Sequence, residues 1–157
     1  AIQLSPETSE YLINRGIAYF NSEQFKKSLR DFDAAEMRGA SDRQIYSYRS
    51  QIHFKLAHFN KAQSDLERYL DLNPYDPFMW SNLGMVTRIN KQFVASLNAF
   101  NRAITLNQDN LEYYYKRSKT YYQMGDMPMA RKDLHFLKAS GFKEIHPDYE
   151  KLISKQE

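Results

Sequence analysis

Several features that usually identify a functional class are missing from this sequence. It has no cysteine, which excludes disulfide bonds and thiolate metal ligands. Only five glycines and five prolines interrupt its 157 residues, and no stretch approaches the ~18 apolar residues that a membrane-spanning helix needs. The 22 basic and 19 acidic residues are interspersed, without a long run of one sign. This charge pattern is typical of a solvated surface rather than of a nucleic-acid-binding tail.

What the sequence does have is a period of 34 residues. One column at that spacing contains only small residues, namely Gly16, Ser50, Gly84 and Ser118. A second small column consists of Ser28, Ala62, Ser96 and Ala130, and a large one of Phe32, Leu66, Phe100 and Leu134. Columns that recur in phase indicate stacked copies of one small unit. Four units would cover residues 9–42, 43–76, 77–110 and 111–144.

Each unit is predicted to contain two helices. In the third unit, Trp80, Leu83 and Thr87 follow helical spacing, and after a break Phe93, Leu97 and Phe100 do the same. Asp76 and Pro77 form the pair expected at a helix start. The breaks between helices are only a few residues long, which makes the two helices of a unit antiparallel neighbours.

The residues after Glu144 predict one more helix, over about residues 146–156. Pro147 would open it, and Tyr149, Leu152 and Ile153 would share one face. Gly141 is then the expected end of the preceding helix. Since the last unit of an array has no neighbour, a final helix with a polar outer side would cap it.

The units resemble the tetratricopeptide repeat (TPR) family. That family favours a bulky aromatic at repeat position 4, Leu at 7, Gly or Ala at 8, Tyr at 11, Ala at 20, an aromatic at 24, Ala at 27 and Pro at 32. The third unit supplies Trp80, Leu83, Gly84, Phe100 and Ala103, and the first supplies Leu12, Gly16, Tyr19, Phe32 and Ala35. Matches in the other two units are Tyr46, Ser50, Ala62, Leu66 and Pro74, then Tyr114, Ser118, Tyr121, Ala130 and Leu134. Departures from the pattern include Arg15, Arg49 and Arg117 at position 7.

The resemblance implies an all-α fold, specifically a right-handed superhelical solenoid of four helix-turn-helix units with a C-terminal capping helix. The whole chain, residues 1–157, would form a single TPR domain. In this family the first helix of each unit lines a concave groove that binds a protein or peptide. We therefore expect a partner-binding surface at Ile13, Ile17, Phe20, Gln44, Gln51, Phe54, Phe78, Met85, Arg88, Tyr115, Lys119 and Tyr122. The alternative is that some of these, Phe20 and Tyr122 above all, pack against the next repeat.

The groove positions also indicate the character of a ligand. Tyr115, Lys119 and Tyr122 share one helix face, and Arg88 lies one repeat earlier. A peptide with apolar anchors and an acidic group would suit them. Some TPR proteins grip a C-terminal carboxylate of a chaperone with five Lys, Asn and Arg residues. Only Asn82 matches those positions here, with Lys116 as a partial substitute, so we do not expect that activity.

Nothing in the sequence predicts catalysis, a cofactor or a metal. The four histidines lack metal-binding spacing, and His53 occupies a core position. We therefore expect a soluble adaptor for a protein or peptide, without nucleic-acid binding or membrane insertion. It would be cytoplasmic, or exported if Ala1 follows a removed signal peptide. The alternative function is structural, in which the ends or convex face of the array assemble homo-oligomers, with Ala1–Leu4 as an arm.

Overall fold

The computed structural model describes residues 6–154, and the side chains of residues 8–152. This range folds entirely into α-helices joined by short connections, which confirms the all-α class. The helices are α1 (Pro6–Asn21), α2 (Phe25–Met37), α3 (Arg43–Lys55), α4 (Phe59–Leu72), α5 (Pro77–Ile89), α6 (Phe93–Leu106), α7 (Leu111–Met124), α8 (Met127–Ala139) and α9 (Pro147–Ser154).

The chain divides into two compact halves, each made of two helix pairs. The N-terminal half ends at Pro74 and contains the pairs α1/α2 and α3/α4, with α3 also contacting α1 and α2. The C-terminal half begins at Tyr75 and contains α5/α6 and α7/α8, with α7 also contacting α5 and α6. Helix α9 packs against α8. Each helix pair corresponds to one predicted 34-residue unit, here called a repeat, except that α1 begins at Pro6, before the predicted start of the first unit at residue 9.

The first helix of a repeat approaches the second most closely at the small residue of position 8. A Cβ atom on Gly16 would lie 2.8 Å from the ring of Phe32, which is fully buried. The Ser28 hydroxyl then donates a hydrogen bond of 2.8 Å to the Gly16 carbonyl oxygen. The third repeat has the same arrangement, at Gly84, Ser96 and Phe100. Two helix backbones can meet this closely only because no side chain separates them.

The second and fourth repeats have different residues at these positions. They have Ser50 and Ser118 at position 8, and each hydroxyl donates to a carbonyl oxygen of its own helix. At the positions of Phe32 and Phe100, these two repeats have the smaller residues Leu66 and Leu134, which are also buried. The repeats therefore alternate between a Gly–Phe and a Ser–Leu contact.

The turns inside the repeats keep the 34-residue period in the backbone. Glu23, Ala57, Lys91 and Gly125 all have positive φ, between 56° and 82°. Only the last is a glycine, so three residues adopt a conformation that costs about 1 kcal/mol for a side chain with Cβ. Gly141 also has positive φ and ends the last turn after α8, as predicted.

The arginines at position 7 each form an ion pair with an aspartate on the second helix of the same repeat. Arg15 contacts Asp31 at 2.6 Å and Arg117 contacts Asp133 at 2.6 Å. Arg49 pairs with Asp65 in the second repeat, and the three aspartates are buried. These pairs explain why arginine replaces the leucine of the family pattern. In the third repeat both positions are apolar, Leu83 and Ala99.

The predicted helix ends are confirmed where the structure describes them. Asp76 caps α5 by accepting hydrogen bonds from the backbone N–H groups of Phe78 and Met79, with Pro77 in the first turn. Helix α9 has Tyr149 and Leu152 packed on a cluster that includes Leu137 and Ile145. The end of the predicted final helix, the Ile153 side chain and the predicted arm at Ala1–Leu4 lie outside the described residues.

We expect the Gly16→Ala substitution to destabilise the protein by about 1–3 kcal/mol, because the new methyl group meets Phe32. At an unhindered helical site the same change would stabilise by about 1 kcal/mol. Adding Phe32→Leu should recover at least about 1 kcal/mol relative to the sum of the single changes. Urea unfolding followed by circular dichroism measures this cycle. A stabilising Gly16→Ala, or strictly additive effects, would show that the contact is not tight.

The second prediction concerns the ion pair of the fourth repeat. Asp133→Ala leaves the Arg117 guanidinium without its carboxylate and should cost about 3 kcal/mol of unfolding free energy. The double change Arg117→Leu with Asp133→Ala reproduces the residues of the third repeat and should lie within about 1 kcal/mol of the native chain. A double variant as unstable as the single one would contradict this account.

Candidate functional site

Side chains that could support metal or acid–base chemistry are not gathered into a site. Within residues 8–152, no group of three His, Asp or Glu residues could hold a metal ion. His53 is buried, its Nδ1 has no hydrogen-bond partner, and burial lowers its pKa. It therefore serves as a neutral packing residue. In the described part of the chain, no helix combines the length and apolar character needed to cross a membrane.

In the N-terminal half, the predicted groove residues differ in exposure. Ile13 is only 7% exposed, so the expectation that it is largely exposed is wrong, although it contributes to the wall of a cleft. Phe20 is half-buried, and its ring lies 4.9 Å from that of Tyr48 on α3, which supports the packing alternative for this residue. The remaining predicted positions are half-buried or exposed: Ile17, Gln44, Gln51 and Phe54.

A polar cleft of about 550 Å³ lies beside these residues in the N-terminal half. Its walls include Glu10 and Ile13 of α1, Arg38 after α2, and Asp42 and Gln44 at the start of α3. The Nε atom of Arg38 is buried without a hydrogen-bond partner, while its Nη1 donates to the Ala34 carbonyl oxygen at 2.9 Å. The cleft thus joins two predicted groove residues to a guanidinium that is only partly satisfied.

In the C-terminal half, the predicted residues lie on the facing helices α5 and α7. Phe78 is 58% exposed and Tyr122 is 40% exposed. Met85, Arg88 and Lys119 are half-buried. The predicted positions of these two helices therefore include both apolar and basic side chains.

Tyr115 is the exception, and the expectation that it is exposed is wrong. It is 7% exposed and belongs to the hydrophobic cluster under α9. Its ring lies 5.6 Å from that of Phe142 and 6.0 Å from that of Tyr149. Its hydroxyl oxygen accepts a hydrogen bond of 2.9 Å from the backbone N–H of His146. Tyr115 therefore holds the C-terminal segment in place.

Helix α9 covers part of the predicted face as well as capping the last repeat. The Tyr149 ring lies 5.2 Å from that of Tyr122 in an edge-on arrangement. A cleft of about 400 Å³ remains between α7 and α9, lined by Tyr122, Tyr149 and Leu152 among others. Tyr122 is therefore both a packing residue and a wall of an open cleft.

Helices α5 and α7 also carry three basic residues, Arg88, Lys116 and Lys119. We call these three residues the cationic face. The Lys119 Nζ lies 3.9 Å above the centre of the Tyr115 ring. The Lys116 Nζ contacts Glu112 Oε1 at 3.0 Å and Ser81 Oγ at 3.4 Å. The Nε of Arg88 is buried and has no hydrogen-bond partner among the described residues.

The electrostatics of the cationic face are unfavourable to its own charges. Burial lowers the pKa of Lys119, and the nearby charges of Arg88 and Lys116 lower it further. Burial also lowers the pKa of Arg88. Among the described residues, Glu112 raises the pKa of Lys119 and Tyr149 raises that of Arg88, against these effects. The face thus carries more positive charge than its surroundings neutralise.

Two contributors to this face were not predicted as site residues. Lys116 lies one helical turn before Lys119, so a search for basic residues at i and i+3 would have found it. Tyr149 was predicted to pack the final helix onto the array. Tyr149 lies near Tyr122 and Arg88 because of where α9 packs. Helix α9 lies outside the four repeats, so the 34-residue period does not predict its position.

Comparisons with known proteins agree with this architecture. No protein-family profile matches the chain. The tetratricopeptide repeat-containing protein trd-1 of Caenorhabditis elegans is 28% identical over 149 residues, which is 94% of this chain but only 18% of the relative. Among solved structures, MamA superposes with a TM-score of 0.79 and 16% identity, covering 96% of this chain and 90% of the other.

Two further structures are of proteins that bind peptides. The first TPR of Spaghetti (RPAP3), bound to the HSP90 peptide SRMEEVD, has a TM-score of 0.68 and 17% identity, covering 80% of this chain and 99% of the other. YrrB, a TPR protein with an unusual peptide-binding site, has a TM-score of 0.75 and 18% identity, covering 88% of this chain and 70% of the other. The resemblance predicted from the sequence is confirmed, and the chain has the tetratricopeptide repeat fold.

The Lys119 environment gives the third prediction. In a titration followed by NMR at the lysine Cε, Lys119 should lose its proton below the ordinary lysine value of about 10.4. Arg88→Leu should move its pKa upward, because a neighbouring positive charge is removed, and Glu112→Gln should move it downward. If the pKa of Lys119 is the same in both variants as in the native chain, the described geometry is contradicted.

Proposed function

We propose that this protein is a binding scaffold that holds a peptide or a segment of another protein on the α5/α7 face of its C-terminal half, and that it is not an enzyme. The observation that carries this proposal is the combination of exposed apolar side chains, Phe78 and Tyr122, with half-buried basic residues on one face. Apolar anchors beside polar groups that lack partners characterise peptide-binding surfaces rather than cores.

The comparisons support the general function and leave the ligand open. RPAP3 and YrrB use the same fold and are described with a bound peptide and with a peptide-binding site. The HSP90 peptide of RPAP3 is not proposed for this chain, since only Asn82 matches the residues that grip such a C-terminus. A different segment, recognised by aromatic and basic side chains, fits better. We expect an affinity on the order of micromolar, about 8 kcal/mol.

A structural role in homo-oligomers is the second candidate. It is favoured by further exposed apolar residues, such as Met37 at 81%, Tyr75 at 73% and Val94 at 69% exposure. Side chains of this kind could join copies of the chain. Light scattering over a range of concentrations separates the two functions, because a stable dimer or larger assembly favours this alternative and a persistent monomer excludes it.

The test of the binding function uses peptides selected from a random display library. Phe78→Ser with Tyr122→Ser should weaken their binding at least tenfold, because both apolar anchors are lost. Val94→Ser removes a comparable exposed side chain from α6 and should change nothing. Circular dichroism checks that all variants keep their helices. Selected peptides that bind the double variant as well as the native chain would rule out this face.

A further inference from the structure

We propose that Arg88, Lys116 and Lys119 form a binding site for the side-chain carboxylate of an aspartate or glutamate in the bound segment. This inference rests on the proposed function and specifies the chemistry of the ligand. It starts from positive charges that the described part of the chain leaves without sufficient acidic partners.

Arg88 is the clearest of these charges. A guanidinium has five N–H donors and cannot lose its charge in a protein, so a buried one needs acceptors. The Nε of Arg88 is buried without an acceptor, and none of the ion pairs among the described residues includes Arg88. By contrast, Arg15, Arg49 and Arg117 each meet a buried aspartate. The fold therefore provides a carboxylate for its structural arginines, and Arg88 differs from them.

The lysines of α7 add to the unbalanced charge. Lys119 is stacked on the Tyr115 ring and forms no ion pair with a described residue. Lys116 has a carboxylate partner in Glu112, whose side chain is 54% exposed. On α9, Asp148 contacts the Lys151 Nζ at 3.3 Å, and its side chain is 71% exposed. Among the described residues, Glu112 pairs with Lys116 and favours the charge of Lys119, whereas Arg88 has no carboxylate partner. An incoming anion would supply the missing negative charge.

A carboxylate suits this site better than a phosphate does. Glu112 already places one negative charge beside Lys116, and it would repel a dianionic phosphate more strongly than a monoanion. Arginine also binds carboxylates through two parallel hydrogen bonds, and such pairs are strong where water is partly excluded. The neighbouring Tyr122, Tyr149 and Met85 supply apolar surface for the rest of the residue.

The proposal makes a prediction about the protein without its ligand. Residues that only await a partner contribute little to folding, so Arg88→Leu and Lys119→Met should leave the melting temperature unchanged or raise it. A clear fall in the melting temperature for both variants would indicate a structural role and overturn the proposal. The variants Lys132→Met and Lys138→Met, on the exposed side of α8, are matched controls for the loss of charge.

The binding experiment uses the display-selected peptides described above. We expect them to contain Asp or Glu beside apolar residues. Replacing that acid by its amide, or combining Arg88→Leu with Lys119→Met in the protein, should each weaken binding about tenfold or more. Combining both changes should cost little beyond either one, because they remove the same contact. The double control Lys132→Met with Lys138→Met should bind like the native chain.

The outcomes separate this site from the proposed function. Peptides that depend on Phe78 and Tyr122 but bind equally well as acid and amide would overturn the anion site and leave the binding scaffold intact. A peptide that binds at least tenfold more tightly with phosphoserine in place of its acid would contradict the choice of carboxylate. If no selected peptide depends on Phe78 and Tyr122, the proposed function itself fails, and the anion site fails with it.

Discussion

The close approach of two helices within each repeat is the contact on which the structure depends. It requires a small residue on the first helix and a large one of matching size on the second. Gly16 lies so close to Phe32 that a methyl group would clash, whereas the second repeat has the larger Ser50 and the smaller Leu66, both buried, at these positions. Since the pair fixes how the first helix is rotated, it also decides which side chains of that helix remain accessible to another molecule.

Polar groups reinforce this contact without replacing it. Three repeats place an arginine of the first helix against a buried aspartate of the second, and the third repeat fills both positions with Leu83 and Ala99. A buried ion pair and an apolar pair can substitute for one another when the whole pair changes. Arg88 belongs to neither arrangement. It is half-buried on the accessible side of its helix, and no carboxylate of the described residues pairs with it.

The sequence alone predicts the helices, their pairing and their turns, because columns such as Phe32 and Phe100 report contacts made inside each repeat. The arginine–aspartate pairs were not predicted, although Asp31, Asp65 and Asp133 also recur with the period, because a period does not show which columns contact each other. The exposure of Ile13 and Tyr115 was predicted wrongly for a related reason. A position rule states where a side chain points, whereas burial also depends on what is packed next to it. Tyr115 lies in the last repeat, where α9 covers it, and that helix is not part of the period.

We propose that Arg88, Lys116 and Lys119 of the C-terminal half serve a ligand rather than the fold. The most direct measurement is a crystal structure of the chain with a display-selected peptide. We expect a peptide carboxylate within hydrogen-bonding distance of Arg88 and Lys119, with apolar peptide side chains on Phe78 and Tyr122. A peptide bound to α6 or α8, with Arg88 still lacking an anionic partner, would contradict the account.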